Sequence, residues 1–458
     1  MRFGRAVVSV IDLQCRDISI HGCVASWLRR NNYMYRHLLC VAVAVALATP
    51  TWAAETTSTN QRLQSLEQRV DQLETAPGSS PPSSIGSFNP AVSVILSGIY
   101  ANLSKDPANY RITGFPLPSD ADFGPGQRGF GLAESELAVY ANIDPYFYGT
   151  LIYSLHPDDT ASVEEAYIQT IALSNGFTVK AGRFFSGIGY LNSQHSHVWD
   201  FVDAPLVYQA FLGTQFDDDG VQLKWLAPTD TFIEVGTELS RGRGFPGSDR
   251  DKNSAGAATL FAHAGGDVGF SNSWRVGVSL LNTSPRDRQF DETDLGGNDT
   301  LNSFSGKSRT YVVDAVWKYA PNGDTVYTNF KLQAEYMRRH EDGDVIYDIA
   351  SAATSSAYDA KQSGWYLQGV YQFMPYWRVG LRTERLDHGS LDYGANNANL
   401  PVSDYNPSRN SVMVDYSLSE FSRIRLQYAQ DKATQGSTDR QVFVQYLMSL
   451  GAHGAHQY

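Results

Sequence analysis

Fifteen charged side chains sit at alternate positions of extended, otherwise apolar segments. They are Glu134, Glu136, Lys180, Glu234, Glu238, Arg275, Asp314, Lys318, Lys331, Glu335, Arg378, Arg382, Glu384, Arg423 and Arg425. Successive side chains of a strand point to opposite faces, so each of these charges shares a face with polar neighbours and leaves the other face apolar. On the solvent side of a wall, such charges orient water and discriminate among solutes. Glutamates cluster in the earlier segments and arginines in the later ones, which predicts opposite walls of opposite sign across a passage.

A second group could hold a transition metal. His195-Ser-His197, with Asp200 and Asp203 close behind, supplies two imidazoles and two carboxylates in one loop. His453 and His456 form a smaller pair in the tail. A divalent metal is therefore a possible solute, and no resident cofactor is expected. His263 falls on a polar face, but no nucleophile is spaced to act beside it, so the residues do not predict an enzyme.

These charges need a scaffold, and composition restricts it. The chain has 458 residues, 12% aromatic and only 18% charged, with negative mean hydropathy. The longest apolar run, Leu38 to Ala48, falls well short of the ~20 residues a membrane-crossing helix needs. A barrel strand needs only about 9–11 residues and alternates apolar with polar, so a membrane protein built of strands remains open. The three cysteines, Cys15, Cys23 and Cys40, precede the main body, which excludes a disulfide framework there.

Arg36 and His37 precede the apolar run, and Thr51 and Ala53 fit a small-x-small cleavage rule, so residues 1–53 read as an upstream extension plus an export signal. Met34 gives that signal an ordinary length and is the expected natural start. Removing 1–53, with six Arg and two Asp, leaves 30 basic and 46 acidic residues and a net charge of −16; nucleic acid is a poor partner for such a chain. In 54–76, Leu63, Leu66, Val70 and Leu73 are spaced three and four apart, predicting a short coiled-coil helix. Two heptads hold together only where chains are already joined, which predicts homotrimers in conjunction with the barrel below. Residues 77–87, rich in Pro, Ser and Gly, read as a linker.

From 88 to 458 the pattern has period two, with sixteen candidate strands between Ala91 and Ser449. Short connections such as Asp144-Pro145 and Met374-Pro-Tyr376 alternate with long gaps at 102–129, 187–220, 282–308, 339–363 and 387–409. The expected fold is all-β: a transmembrane antiparallel barrel of about sixteen strands in outer-membrane lipid of a Gram-negative-type bacterium, with short periplasmic turns and both termini periplasmic.

The segment Phe177-Thr-Val-Lys-Ala-Gly-Arg-Phe-Phe-Ser-Gly-Ile-Gly-Tyr-Leu-Asn192, with His195 to Phe201 and Asp203-Ala-Pro205, resembles the corresponding stretch of the phosphate-selective porin O and P family. Glu134-Ser-Glu-Leu137 and Ala141 to Gly149 are similar to another run in its relatives. The resemblance implies a trimeric sixteen-stranded porin with an N-terminal coiled coil, passing small hydrophilic solutes or ions passively. That family's phosphate preference comes from a ladder of Arg and Lys, whereas the mature chain is acidic, so the fold and channel activity carry over and the solute does not. The C-terminal stretch 445–458 also resembles zinc-regulated TonB-dependent outer-membrane receptors, which implies metal uptake as an alternative. Such a receptor needs a plug and 22 strands, for which the chain has no room. The overall charge predicts modest cation preference in dilute salt that weakens or reverses as salt rises, because a mouth field is screened before lumen charges are.

Overall fold

The computed structural model describes residues 90–118, 123–158 and 160–451. The export signal, the natural start, the heptad positions Leu63, Leu66, Val70 and Leu73, the linker and the tail histidines lie outside them.

Among the described residues, eighteen strands form one sheet. They are β1 (Ala91–Leu103), β2 (Gly129–Leu132), β3 (Ser135–Asn142), β4 (Phe147–Leu155), β5 (Ala161–Thr170), β6 (Phe177–Phe185), β7 (Asp217–Leu226), β8 (Phe232–Ser240) and β9 (Ala257–Val268), followed by β10 (Asn272–Thr283), β11 (Arg288–Thr293), β12 (Asp299–Tyr319), β13 (Asn329–Tyr347), β14 (Thr354–Met374), β15 (Trp377–Asp392), β16 (Ser408–Ser419), β17 (Ser422–Lys432) and β18 (Asp439–Gly451). β1 pairs antiparallel with β18 from Ser93↔Gly451 to Leu103↔Gln441, which closes the sheet on itself. β2 and β3 both pair with β1 and occupy one wall position in succession. β10 and β11 likewise share one side of β12. The wall is therefore a closed antiparallel barrel of sixteen strands, as the period-two pattern predicts. Closure leaves no unpaired edge, which is what allows strands to stand in lipid.

The two faces separate as period two requires. Along β12, Tyr311 is 50% exposed on the outside, whereas Thr310 and Asp314 inside are 0% and 1% exposed. On β15, Leu381 points outward, between Arg382 and Gly380 on the inner face. Trp377 stacks on Tyr416 at 4.7 Å, and Trp317 meets Phe330 edge-on at 5.8 Å. These rings lie on the rim that carries the start of β1 and the end of β18, here called the terminal rim. Aromatic girdles occupy such positions at a membrane interface.

Two expectations about lengths need correction. The gaps 282–308 and 339–363 are largely strand, because β12 and β14 have 21 residues and β13 has 19. The connection between β13 and β14 is only 348–353, and that between β4 and β5 only 156–160, so short and long connections do not alternate strictly. The extensions project past the ~9–11 residues that cross lipid, where no apolar outer face is required and the alternation signal disappears. They enclose a core of their own, in which Phe290, Phe304, Val345, Tyr358, Leu391 and Tyr393 pack together.

Candidate functional site

The third distal connection, 186–216, folds into the barrel. Its one α-helix, α1 (Leu206–Leu212), follows Pro205 and ends at Gly213 in the left-handed conformation, the usual stop for a helix. All seven residues of α1 are buried. They pack with Trp199 and Leu191 against Leu281, Val312, Met337, Tyr366 and Leu386 from the inner face of the wall. A seven-residue helix is too short to persist alone, so packing against the wall maintains it.

Charged wall residues fasten the loop. Glu335 accepts hydrogen bonds from the backbone N–H of Tyr190 (3.2 Å) and Leu191 (3.0 Å) and from the hydroxyls of Tyr208 (2.8 Å) and Tyr366 (2.7 Å). Gly189, at φ +64°, passes so close that a Cβ would lie 2.4 Å from Glu335 Oε2. Glu238 accepts from Gly187 N–H at 2.9 Å and from the Ser186 hydroxyl. Arg423 and Arg425 donate to the carbonyls of His197 and Trp199.

Asp203 and Glu384 form a buried quartet with Arg382 and Arg409, with N···O contacts of 2.7–2.9 Å. Asp200 pairs with Lys331 and Arg378 and accepts from Gln368. Burial alone would raise both aspartates, but Lys331 and Arg378 beside Asp200, and Arg409 and Arg382 beside Asp203, hold the two carboxyls below the usual range.

The metal-ligand set expected from the sequence is thereby divided. Asp200 and Asp203 are committed to basic wall residues, while His195 and His197 turn to glutamates. His197 Nδ1 is 2.7 Å from Glu136 Oε1. His195 Nδ1 is 3.3 Å from Glu164 and 3.5 Å from Glu136, and its Nε2 is 3.2 Å from Glu165. Burial pushes this imidazole down, but Glu164 and Glu136 override it and hold it well above its ordinary value.

Glu164 and Glu165 were not legible as an inner pair, since adjacent strand residues normally face apart. A register shift between β4 and β5, with Ile152 opposite Glu165 and Tyr153 opposite Val163, inserts Glu164 as an extra residue. A bulge of this kind re-aims side chains, and both carboxylates reach His195. The available signal was Glu164-Glu165 itself, because strict alternation would leave one of them in lipid.

Register places fourteen of the fifteen sequence-predicted charges on the inner face, and Glu134, in the connection between β2 and β3, is hydrogen-bonded to Ser196 of the loop. Their surroundings differ. Glu136, Glu238, Asp314, Glu335, Arg382, Glu384 and Arg425 are buried, and most of them hold the loop. Lys180, Glu234, Arg275, Lys318, Lys331, Arg378 and Arg423 are half-buried near the terminal rim. Lys180 lies 4.2 Å over the Tyr167 ring, and Arg275 reaches Asp314 at 3.2 Å. Lys224, absent from the sequence-predicted set, joins this group and pairs with Glu234 at 3.0 Å. His263 also faces inward, 3.3 Å from Glu234.

The expectation of opposite walls is revised by closure. Because β1 pairs with β18, the glutamate-bearing β3 is separated from the arginine-bearing β17 by only two strands. The loop runs between them, with histidines toward the glutamates and aspartates toward the arginines.

An uncharacterized protein of Aquifex aeolicus (strain VF5) is 30% identical over 401 residues, which cover 82% of this chain and 81% of that protein. The chain belongs to the family of that protein. No family model matches. Among solved structures, the anion-selective porin of Comamonas acidovorans is 12% identical with a TM-score of 0.48, covering 79% of this chain and 99% of that one. The outer-membrane channel DcaP of Acinetobacter baumannii is 13% identical with a TM-score of 0.46, covering 79% and 96%. Salmonella typhi OmpF, in complex with daunomycin, is 13% identical with a TM-score of 0.47, covering 79% and 97%. The barrel itself rests on the pairing from β1 round to β18.

Proposed function

We propose that the family member described here is an outer-membrane porin-like channel through which small hydrophilic solutes or ions diffuse passively, narrowed by the loop 186–216. The observation that carries this reading is the closed barrel with an apolar outer face, whose charged inner face grips that loop. An apolar exterior suits lipid, and fixed charges around a constriction suit polar solutes.

The half-buried basic residues near the terminal rim are the charges closest to a passing ion. Arg275, Lys331 and Arg378 pair with the buried Asp314, Asp200 and Asp415, and Lys224 with Glu234, so Lys180 and Arg423 are half-buried basic residues outside those pairs. The inner field thus favours anions, while the acidic distal segments favour cations at the mouth. Homotrimers joined by the heptad segment, and export by the signal in 1–53, complete the proposal. The test is a planar-bilayer recording with the purified full chain. Step conductance is expected; absence of steps in protein that migrates as a folded barrel would overturn the channel.

A further inference from the structure

Four carboxylates, Glu134, Glu136, Glu164 and Glu165, converge on His195, and among the described residues none of them forms an ion pair with Lys or Arg. That differs from Asp200, Asp203 and Glu384 elsewhere in the loop's anchorage, which meet guanidinium or ammonium groups. Burying several carboxylates without compensating positive charge is unfavourable, and one imidazolium compensates for only one of them.

The arrangement around His195 is specific. Its Nε2 faces Glu165 Oε2 at 3.2 Å, a contact in which Nε2 donates, so a metal ion at Nδ1 would take the place of the proton on that nitrogen. Nδ1 has no hydrogen bond of acceptable geometry and is out of contact with solvent, yet it lies 3.3 Å from Glu164 Oε1 and 3.5 Å from Glu136 Oε2. The ligand atoms that these three residues contribute lie within 4.8 Å of one another. Metal bonds of ~2.0–2.1 Å in a tetrahedron set ligand atoms ~3.3–3.4 Å apart, so the two nitrogen-to-oxygen separations correspond to edges of such a polyhedron.

Each of the three is also held from behind. Glu136 keeps its other oxygen on His197 Nδ1 at 2.7 Å, Glu164 keeps its other oxygen on the Ser154 hydroxyl at 2.6 Å, and His195 is held by Glu165. Outer partners of this kind orient metal ligands and raise their basicity. The β5 bulge that delivers Glu164 is a local departure from regular pairing, and bulges recur beside functional sites.

We propose that Glu136 Oε2, Glu164 Oε1 and His195 Nδ1 bind a divalent transition metal, which ties the loop 186–216 to β3 and β5. One nitrogen with two carboxylates suits zinc, cobalt, manganese or ferrous iron, whereas calcium takes six to eight oxygens. Two carboxylates neutralise a divalent ion, and a tetrahedral ion held by these three ligands would keep its fourth position for water or a solute group. The site does not depend on conduction and is tested without it.

The test uses the purified full-length protein, stripped with EDTA and titrated with Zn²⁺ by calorimetry and with Co²⁺ by visible absorption. One site per chain is expected, with cobalt bands of an N/O environment and no comparable uptake of Ca²⁺. His195→Ala and Glu164→Gln should each weaken binding at least about tenfold, Ser154→Ala about tenfold, and His388→Ala, remote from the cluster, not at all. Each variant is compared as protein that migrates as a folded barrel. Failure of the wild-type chain to take up Zn²⁺ stoichiometrically, or uptake that survives His195→Ala undiminished, would overturn the proposal.

Discussion

Asp203 and Arg409 lie 206 positions apart in sequence, and their side chains meet at 2.7 Å inside the barrel, where Arg382 contacts the other Asp203 oxygen at 2.7 Å. The pair joins the inserted loop to the wall. Removing one member leaves buried charge unpaired, a loss of about 3–5 kcal/mol. Asp203→Ala is expected to lower the temperature at which the barrel loses its compact migration on detergent gels and to raise step conductance or current noise as the loop loosens. Unchanged melting and unchanged conductance would show that the loop is held without this quartet.

Gly189 offers a steric test. Its φ of +64° and a Cβ position 2.4 Å from Glu335 Oε2 make Gly189→Ala unfavourable on both counts, by about 1–3 kcal/mol for the backbone alone. The variant should open more readily to protease within 186–216, while Gly126→Ala, also at positive φ but with nothing within 4 Å of its Cβ, should leave that loop protected.

The pH dependence has a definite sign. Asp200 and Asp203 are held below the ordinary aspartate range by their basic neighbours. A depressed carboxylate contributes stability that is present above its unfolded value, about 3.9, and is lost as pH falls through the folded value. Loop docking through these groups should therefore persist from neutral pH down to about 4 and weaken only in stronger acid. Single-channel traces that already become noisy near pH 6 and recover their quiet form in Asp203→Asn would contradict this.

Ion preference separates mouth from lumen. Modest cation preference is expected in dilute salt, fading or reversing in concentrated salt as mouth charges are screened over a Debye length of ~10 Å at 0.1 M. Replacing Lys331 and Arg423 with Gln should remove the reversal. Strong anion preference already in dilute salt would mean that the basic residues near the terminal rim dominate throughout.

Assembly is checked on mild detergent gels. Heat-labile trimers are expected, and deletion of 55–84 should weaken them, since Leu63, Leu66, Val70 and Leu73 lie there. A chain that is monomeric with and without the segment would count against the trimer.

Period two was legible because lipid on one side and polar surroundings on the other impose it residue by residue; that constraint made the sixteen-stranded barrel and the inward set from Glu136 to Arg425 readable without coordinates. Beyond the membrane the constraint lapses, and so 299–308, 339–347 and 354–364 looked like loop although they are strand. Phase states which face a charge takes but not what stands opposite it. Only the tertiary structure decided that Glu335, Glu384 and Arg425 hold an inserted loop, that Asp200 and Asp203 belong to arginines and lysines and not to His195, and that a bulge turns Glu164 inward beside Glu165. Each of these depends on barrel closure and on a loop crossing the lumen, which bring together residues such as Glu136 and His197, or Asp203 and Arg409, from distant parts of the chain.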